Sequence, residues 1–479
     1  MAAPMEHLTA VWRELETWEI GCTDGVEPDV DRVRRVTELF KEAKHRENAD
    51  EKIFTLLLKI LSRTLGEIQA KSATSDSSPE CWLDLSTECF RCLRNSCVQC
   101  TRNQNTIRNV GLIEETVSLI KVLSSSSNCS ESFLVAFRCG LQFLGNVAGG
   151  NQGSQNRIWN HAFPQLFLSC LTHEDEKVAT YGSMVLFTCM GEDKMADLMV
   201  SANLSVAVNV ITAYNKWPNA EWLQLIVTDR FLRYPELLKQ IYASLSHSDR
   251  VVLLELIMTK VSDKSLLGVE ELASLQKIAE FLSGCFQSQC RAVLKLAGPT
   301  HCDEQEAVVV VRLLDVLCEM TSDSEHLTCL QSCPGLLDTV VETLRMTHLV
   351  GKQSTNIFTS THTASLGSDL THAAVGFKAH LVRLIANLCY RNKDNQDKIY
   401  ELDGIPLILD NCSIDDNNPF LNQWAFYAIR NLTEHNERNQ GLIANLERQG
   451  PADASALANM GLEVEERDGK LVLRSIKKM

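Results

Sequence analysis

Along most of the chain, apolar residues return at intervals of three and four. Val33, Val36, Leu39 and Phe40 form one such stripe, and Ile53, Phe54, Leu57, Ile60 and Leu61 form the next. Leu381, Leu384, Ile385 and Leu388 repeat the interval, as do Leu421, Ala425, Ala428, Ile429 and Leu432. The interval matches the helical period, so each stripe predicts an amphipathic helix with one buried face. The stripes are short to medium, which fits stacked helical hairpins rather than one long coiled coil. Asn418 followed by Pro419 reads as a helix start, because asparagine caps free amides and proline tolerates the first helical position.

Some stretches break the pattern. Residues 71–80 (KSATSDSSPE) are small and polar and read as a flexible loop. Residues 351–370 (GKQSTNIFTSTHTASLGSDL) are Ser/Thr-rich and poorly periodic, so they read as a flexible insert. That insert divides a predicted N-terminal repeat array, 29–350, from a C-terminal repeat block, 371–460. Residues 461–479 read as a hairpin or tail, since Glu463 to Arg474 alternates around the turn signal Asp468-Gly469. Residues 1–28 carry little of the pattern and are expected to be loosely attached.

One local string recurs four times. An asparagine is followed eight residues later by a polar residue, usually with glutamine next, and four further on by isoleucine. The copies are Asn95, Asn103, Ile107; Asn146, Ser154, Ile158; Asn387, Asn395, Ile399; and Asn431, Asn439, Ile443. Asn95 and Asn146 are 51 residues apart, and Asn387 and Asn431 are 44 apart. Helical arrays repeat at about 40–47 residues. A faint further copy places Glu319 at the asparagine position. A single helical hairpin cannot bury its apolar face alone, so such units must stack.

Composition narrows the class. Gly (23) and Pro (11) are too few in 479 residues for the frequent turns of an all-β fold. A net charge of −15 leaves no dense basic footprint for nucleic acid. No leader-like start and no run near about 18 apolar residues is seen, so a cytoplasmic protein without membrane insertion is expected. In that compartment the 18 cysteines are expected as free thiols.

The string "LxNL, NQxxI, then Gly and an apolar helix" resembles the armadillo repeat family. The runs HLVRLIANLCYRNKDNQDKIYELDGIPLILDNC, ECFRCLRNSCVQCTRNQNTIRN and FRCGLQFLGN are similar, more narrowly, to the ataxin-10 family of armadillo-like proteins. The resemblance implies an all-α fold, an armadillo-like right-handed superhelical solenoid of stacked helical hairpins. It implies a non-enzymatic scaffold linked to neurite outgrowth and neuron survival, cytokinesis, and centrosomal or ciliary processes. Implied locations are cytoplasmic and perinuclear, with midbody, centrosome and cilium basal body. Implied partners are proteins: a G-protein β subunit, O-GlcNAc transferase, mitotic kinases and further copies of the chain.

In armadillo proteins the repeated asparagine faces a groove, with a side chain four residues earlier beside it. The corresponding partner-binding candidates are Arg91, Asn95, Gln142, Asn146, Arg383, Asn387, Tyr427 and Asn431. Armadillo proteins that carry transport peptides have Trp where Arg91, Gln142, Arg383 and Tyr427 stand here, which disfavours an importin-like adaptor. The competing role for the asparagines is structural, satisfying backbone where helix gives way to loop. Cys89, Cys92, Cys97 and Cys100 invite a metal-site reading, but their place within one repeat favours buried thiols acting as small apolar residues. No catalytic group, cofactor site or metal site is expected: Asp415 and Asp416 have no opposing group, and the histidines show no ligand spacing.

Overall fold

The computed structural model describes residues 29–73, 80–125, 130–263, 268–297, 304–322, 324–353, 357–359, 372–412, 415–446, 462–467 and 470–475. The described chain is helical apart from one terminal hairpin. It divides into two compact units, 1–256 and 257–479.

In the first unit the helices fall into three columns. Five helices, Val30–Leu39, Glu80–Cys97, Glu131–Ala148, Glu176–Cys189 and Glu221–Leu225, pack each on the next. A second column runs Glu51–Ala73, Leu112–Ser125, Gln165–Leu171, Leu204–Lys216 and Pro235–Ser244. Short helices Ala43–Glu47, Thr101–Val110 and Gln152–Ala162 link the two. Each repeat is therefore a short first helix, a second helix and a third helix, with the apolar stripes turned between the columns. Phe90 and Phe143 stack at 6.5 Å between successive third helices, both fully buried. Gly140 allows that approach: a Cβ there would lie 2.8 Å from Ile120 and 3.2 Å from Phe90.

The second unit repeats the plan. Its third helices are Glu304–Met320, Phe377–Leu388 and Leu421–Thr433, packed in that order. First helices are Ser324–Gln331, Lys393–Glu401 and Glu437–Ala444; second helices are Leu336–Gln353 and Gly404–Asp410. Strands Leu462–Arg467 and Lys470–Ser475 form the hairpin, antiparallel, with Leu462 opposite Ser475 and Arg467 opposite Lys470. The expectation for residues 1–28 lies outside the described residues, as does the Asp468-Gly469 turn.

Several local expectations change. Residues 71–73 finish the helix Glu51–Ala73 and Glu80 opens the next one, so the expected loop shrinks to 74–79, outside the described residues. The two compact units meet at 256/257. Part of the supposed flexible insert is fixed: residues 351–353 complete a helix, and Phe358 is fully buried against Phe377, ring centroids 6.0 Å apart. The reason is a polar network that composition does not reveal. Asn418 Nδ2 donates to the Phe358 carbonyl at 2.8 Å and to Asp415 Oδ2 at 2.9 Å. Lys378 Nζ donates to Thr359 Oγ1 at 2.8 Å and lies 3.3 Å from Asp415 Oδ2, with both charged side chains 3% exposed. Burial pulls the Lys378 ammonium below its usual range, and Asp415 opposes that shift.

Asn418 also caps a different helix from the one expected. Its Oδ1 accepts from Lys378 N at 3.0 Å, at the start of Phe377–Leu388. The helix after Pro419 begins at Leu421, behind a left-handed Phe420 with φ 63°.

Candidate protein-binding site

The four repeated asparagines sit near the ends of third helices, and each reaches back one repeat. Asn431 Nδ2 donates to Ala386 O at 2.9 Å, Asn146 Nδ2 to Arg94 O at 3.1 Å, and Asn95 Nδ2 to Thr37 O at 3.3 Å. Asn387 Nδ2 donates to Thr321 Oγ1 at 3.0 Å. Ala386 and Arg94 are the residues just before Asn387 and Asn95. All three carbonyls lie in the last turn of their helices, where no further helical amide follows to satisfy them. Asn95, Asn146 and Asn431 thus cap the third helix of the repeat before, while Asn387 bonds a side-chain hydroxyl just past the end of that helix.

The second half of the string does the same work at the next corner. Asn103 Nδ2 donates to Ser96 O and Arg46 O, Asn395 Nδ2 to Leu388 O and Gln331 O, and Asn439 Nδ2 to Leu432 O and Gln396 O, at 2.8–3.2 Å. The glutamine that follows reaches forward instead. Gln104 Nε2 bonds Asn146 O and Gly149 O, each at 2.9 Å, and Gln396 Nε2 bonds Asn431 O at 2.9 Å. Gln331, in the copy with Glu319, plays that part toward Leu388 O and Tyr390 O.

Between the two halves lies a fixed corner. The residue four after each asparagine is left-handed: Gln99 (φ 51°), Gly150 (φ 68°), Arg391 (φ 51°) and His435 (φ 54°). The next residue starts the first helix, and Asn151, Asn392 and Asn436 each accept there from the amide three residues on. Cys100 holds that place in the first copy without a side-chain cap. Sequence reasoning missed these cap asparagines and the forward-reaching glutamines, although both lie inside the string it found.

These bonds divide the candidate residues. Asn387 and Asn431 are 7% and 1% exposed and each donates an amide N–H to the preceding repeat, so burial inside the stack keeps them from a bound peptide. Asn95 and Asn146 are half-buried and donate in the same way. The residues four earlier stay accessible. Arg91 pairs with buried Glu88 at 3.4 Å, and Gln142 accepts from Arg94 on the neighbouring third helix. Arg383 bonds Glu319 at 3.2 Å and Ser322 Oγ at 2.6 Å, with its guanidinium 5.1 Å above the Trp424 ring. Tyr427 meets Trp424 edge-on at 6.0 Å, and Phe426 beside it is 67% exposed. Trp424, Tyr427 and Asn431 are spaced i, i+3, i+7, the periodicity that could have flagged Trp424.

The cysteine alternative finds no geometry to support it. Cys89, Cys92, Cys97 and Cys100 are buried and free, and Cys100 Sγ is directed at the Arg46 carbonyl, 3.8 Å away. Burial raises the Cys89, Cys92 and Cys97 thiols well above their usual range. Among the described residues, no three His, Cys, Asp or Glu side chains are grouped as a metal ion requires. No single described helix is long and apolar enough to cross a membrane.

Three-helix repeats, stapled by asparagines across four of their junctions, define an armadillo-like helical-repeat protein. Comparison with known proteins is narrower. A model described as the spinocerebellar ataxia type 10 protein domain matches residues 377–474. Ataxin-10 of Xenopus tropicalis is 59% identical over 482 residues, covering 100% of this chain and 99% of that protein. Ataxin-10 of Homo sapiens is 49% identical over 449 residues, covering 93% and 94%. The chain belongs to the ataxin-10 family. Among solved structures, SYS-1 matches 88% of this chain and 75% of its own with 11% identity and a TM-score of 0.39. A chain from work on a phosphorylation switch between cadherin and beta-catenin matches 86% and 68% with 13% identity and a TM-score of 0.38.

Proposed function

We propose that the chain is a non-catalytic scaffold that binds other proteins through the accessible side chains of its third helices. The observation that carries this reading is the division of labour on those helices. The asparagine amides are spent inside the stack, while Arg383, Trp424, Tyr427 and Phe426 are held on a rigid support with faces open to solvent. Arginine and large aromatics are the residue types that anchor protein interfaces. An extended repeat face offers such anchors without a deep pocket.

The resemblance fills in biology as proposals: roles in neurite outgrowth, neuron survival, cytokinesis and centrosome or cilium function, from a cytoplasmic and perinuclear location. A G-protein β subunit, O-GlcNAc transferase, mitotic kinases and further copies of the chain are the proposed partners. The importin-like reading is weaker, because Asn387 and Asn431 are buried and each donates an amide N–H inside the stack.

The test is crosslinking mass spectrometry of the full chain captured from cells, beside the R383A/Y427A variant. Partner crosslinks should map to the third-helix faces and be lost in the variant at unchanged thermal midpoint. Crosslinks confined to the second helices, with the variant binding normally, would overturn the proposal.

A further inference from the structure

The two left-handed corners of the second unit, at Arg391 and His435, stand one repeat apart and share a hollow of about 410 Å³ lined by Arg391, Lys393, Gln396, Glu434 and His435. We propose that this hollow is a binding site for a phosphate dianion, free or carried by a phosphorylated protein side chain.

The corner backbone does not require these side chains. The same corner in an earlier repeat is Gly150, which takes φ 68° without strain. L-residues are disfavoured in that conformation, and glycine is the usual occupant. At Arg391 and His435 the chain carries cationic or protonatable groups instead, both pointed into one cavity. Among the described residues Arg391 has no carboxylate at ion-pair distance; its guanidinium lies 5.1 Å from the Tyr390 ring centre. Lys393 has only a loose contact with Asp397, at 3.9 Å. His435 is exposed and, among the described residues, forms no ion pair. A planar fork and two further cationic or donor groups from separate directions suit a tetrahedral dianion better than a flat carboxylate.

The walls are fixed before any ligand arrives. Gln396 bonds Cys389 O at 3.3 Å in one corner and Asn431 O at 2.9 Å at the other. Asn436 bonds Gln396 Oε1 at 3.2 Å and Asp397 Oδ1 at 2.8 Å. Glu434 is the one carboxylate among the lining residues. Among the described residues it forms no ion pair, and we assign it to accept an N–H from the molecule that carries the phosphate. The cavity exceeds what a bare phosphate fills, leaving room for the attached residue. The site stands whether or not the face around Arg383 and Trp424 binds proteins.

The experiment is calorimetric titration of the full chain at low salt with capped phosphoserine, capped serine and inorganic phosphate. Capped phosphoserine should bind saturably at one site, and capped serine should not. The R391G variant should lose about tenfold or more in affinity, the loss expected for a charged hydrogen bond. Its thermal midpoint should hold or rise, because glycine accepts the left-handed corner. Inorganic phosphate binding as tightly as capped phosphoserine would support the site and identify free phosphate as the source. Tighter binding of capped phosphoserine would support it and identify a phosphorylated protein. No saturable binding, equal affinity in R391G, or binding only to phosphoinositide vesicles would each overturn the proposal.

Discussion

The Asn431 side-chain amide donates to the backbone carbonyl of Ala386 at 2.9 Å, across the junction between two repeats and 45 residues back along the chain. Ala386 lies in the last turn of Phe377–Leu388, so its carbonyl needs a donor from outside the helix. The recurring asparagine is therefore a helix cap supplied in trans by the next repeat. N431A should cost about 1–3 kcal/mol, the range for leaving a buried backbone acceptor unpaired. N95A, whose bond is longer and half-buried, should cost under about 1 kcal/mol. Hydrogen exchange over the two corners reads both. Equal small effects would show that the amides only fill space.

Ser154 occupies the place held by Asn103, Asn395 and Asn439 in the other copies, and its buried Oγ has no hydrogen-bond partner. The equivalent asparagines bond the carbonyl seven residues back and one in the previous repeat. S154N should therefore reach Val147 O and Gln104 O and stabilise the first unit by about 1 kcal/mol. A rise in thermal midpoint checks this; a fall would mean that the junction at Gln152–Ala162 is too tight for the longer side chain.

Phe358 should behave as a core residue although its sequence neighbourhood reads as linker. F358A should cost about 3–5 kcal/mol in denaturant unfolding, as large-to-small changes do at fully buried aromatic sites. An effect under about 1 kcal/mol would return this segment to the status of a surface strap.

Alkali should weaken the fold through its thiols. Burial pushes Cys189 up to about 12 and Cys329 up to about 11, with Cys89, Cys92 and Cys97 raised as well. Unfolded thiols titrate near about 8.5. The folded state thus keeps protons that the unfolded state has lost. The stability contributed is full below the unfolded value and declines as pH rises from there toward each folded value. Each such thiol lowers stability by about 1.4 kcal/mol per pH unit within its window. Urea unfolding with reductant at pH 7.5, 8.5 and 9.5 should show the decline, and C189A should make it shallower. A flat profile would mean that these thiols are open to water in the folded chain.

The apolar periods of Val33–Phe40 and Leu381–Leu388, and the string from Asn431 to Ile443, suffice to establish helices and a stacking repeat. They do so because helix period and repeat length are written in linear spacing. The sequence also placed Arg383 and Tyr427 at the same position of successive third helices, four residues before Asn387 and Asn431. What the asparagines do was settled only by the stack, since Ala386 lies a full repeat away from Asn431. The same is true of Phe358, which composition assigns to a linker and Asn418 and Lys378 pin into the core. Local pattern decides which residues form a helix. Which buried carbonyl needs a donor, and which distant amide can supply it, is decided only when neighbouring repeats come within hydrogen-bond distance.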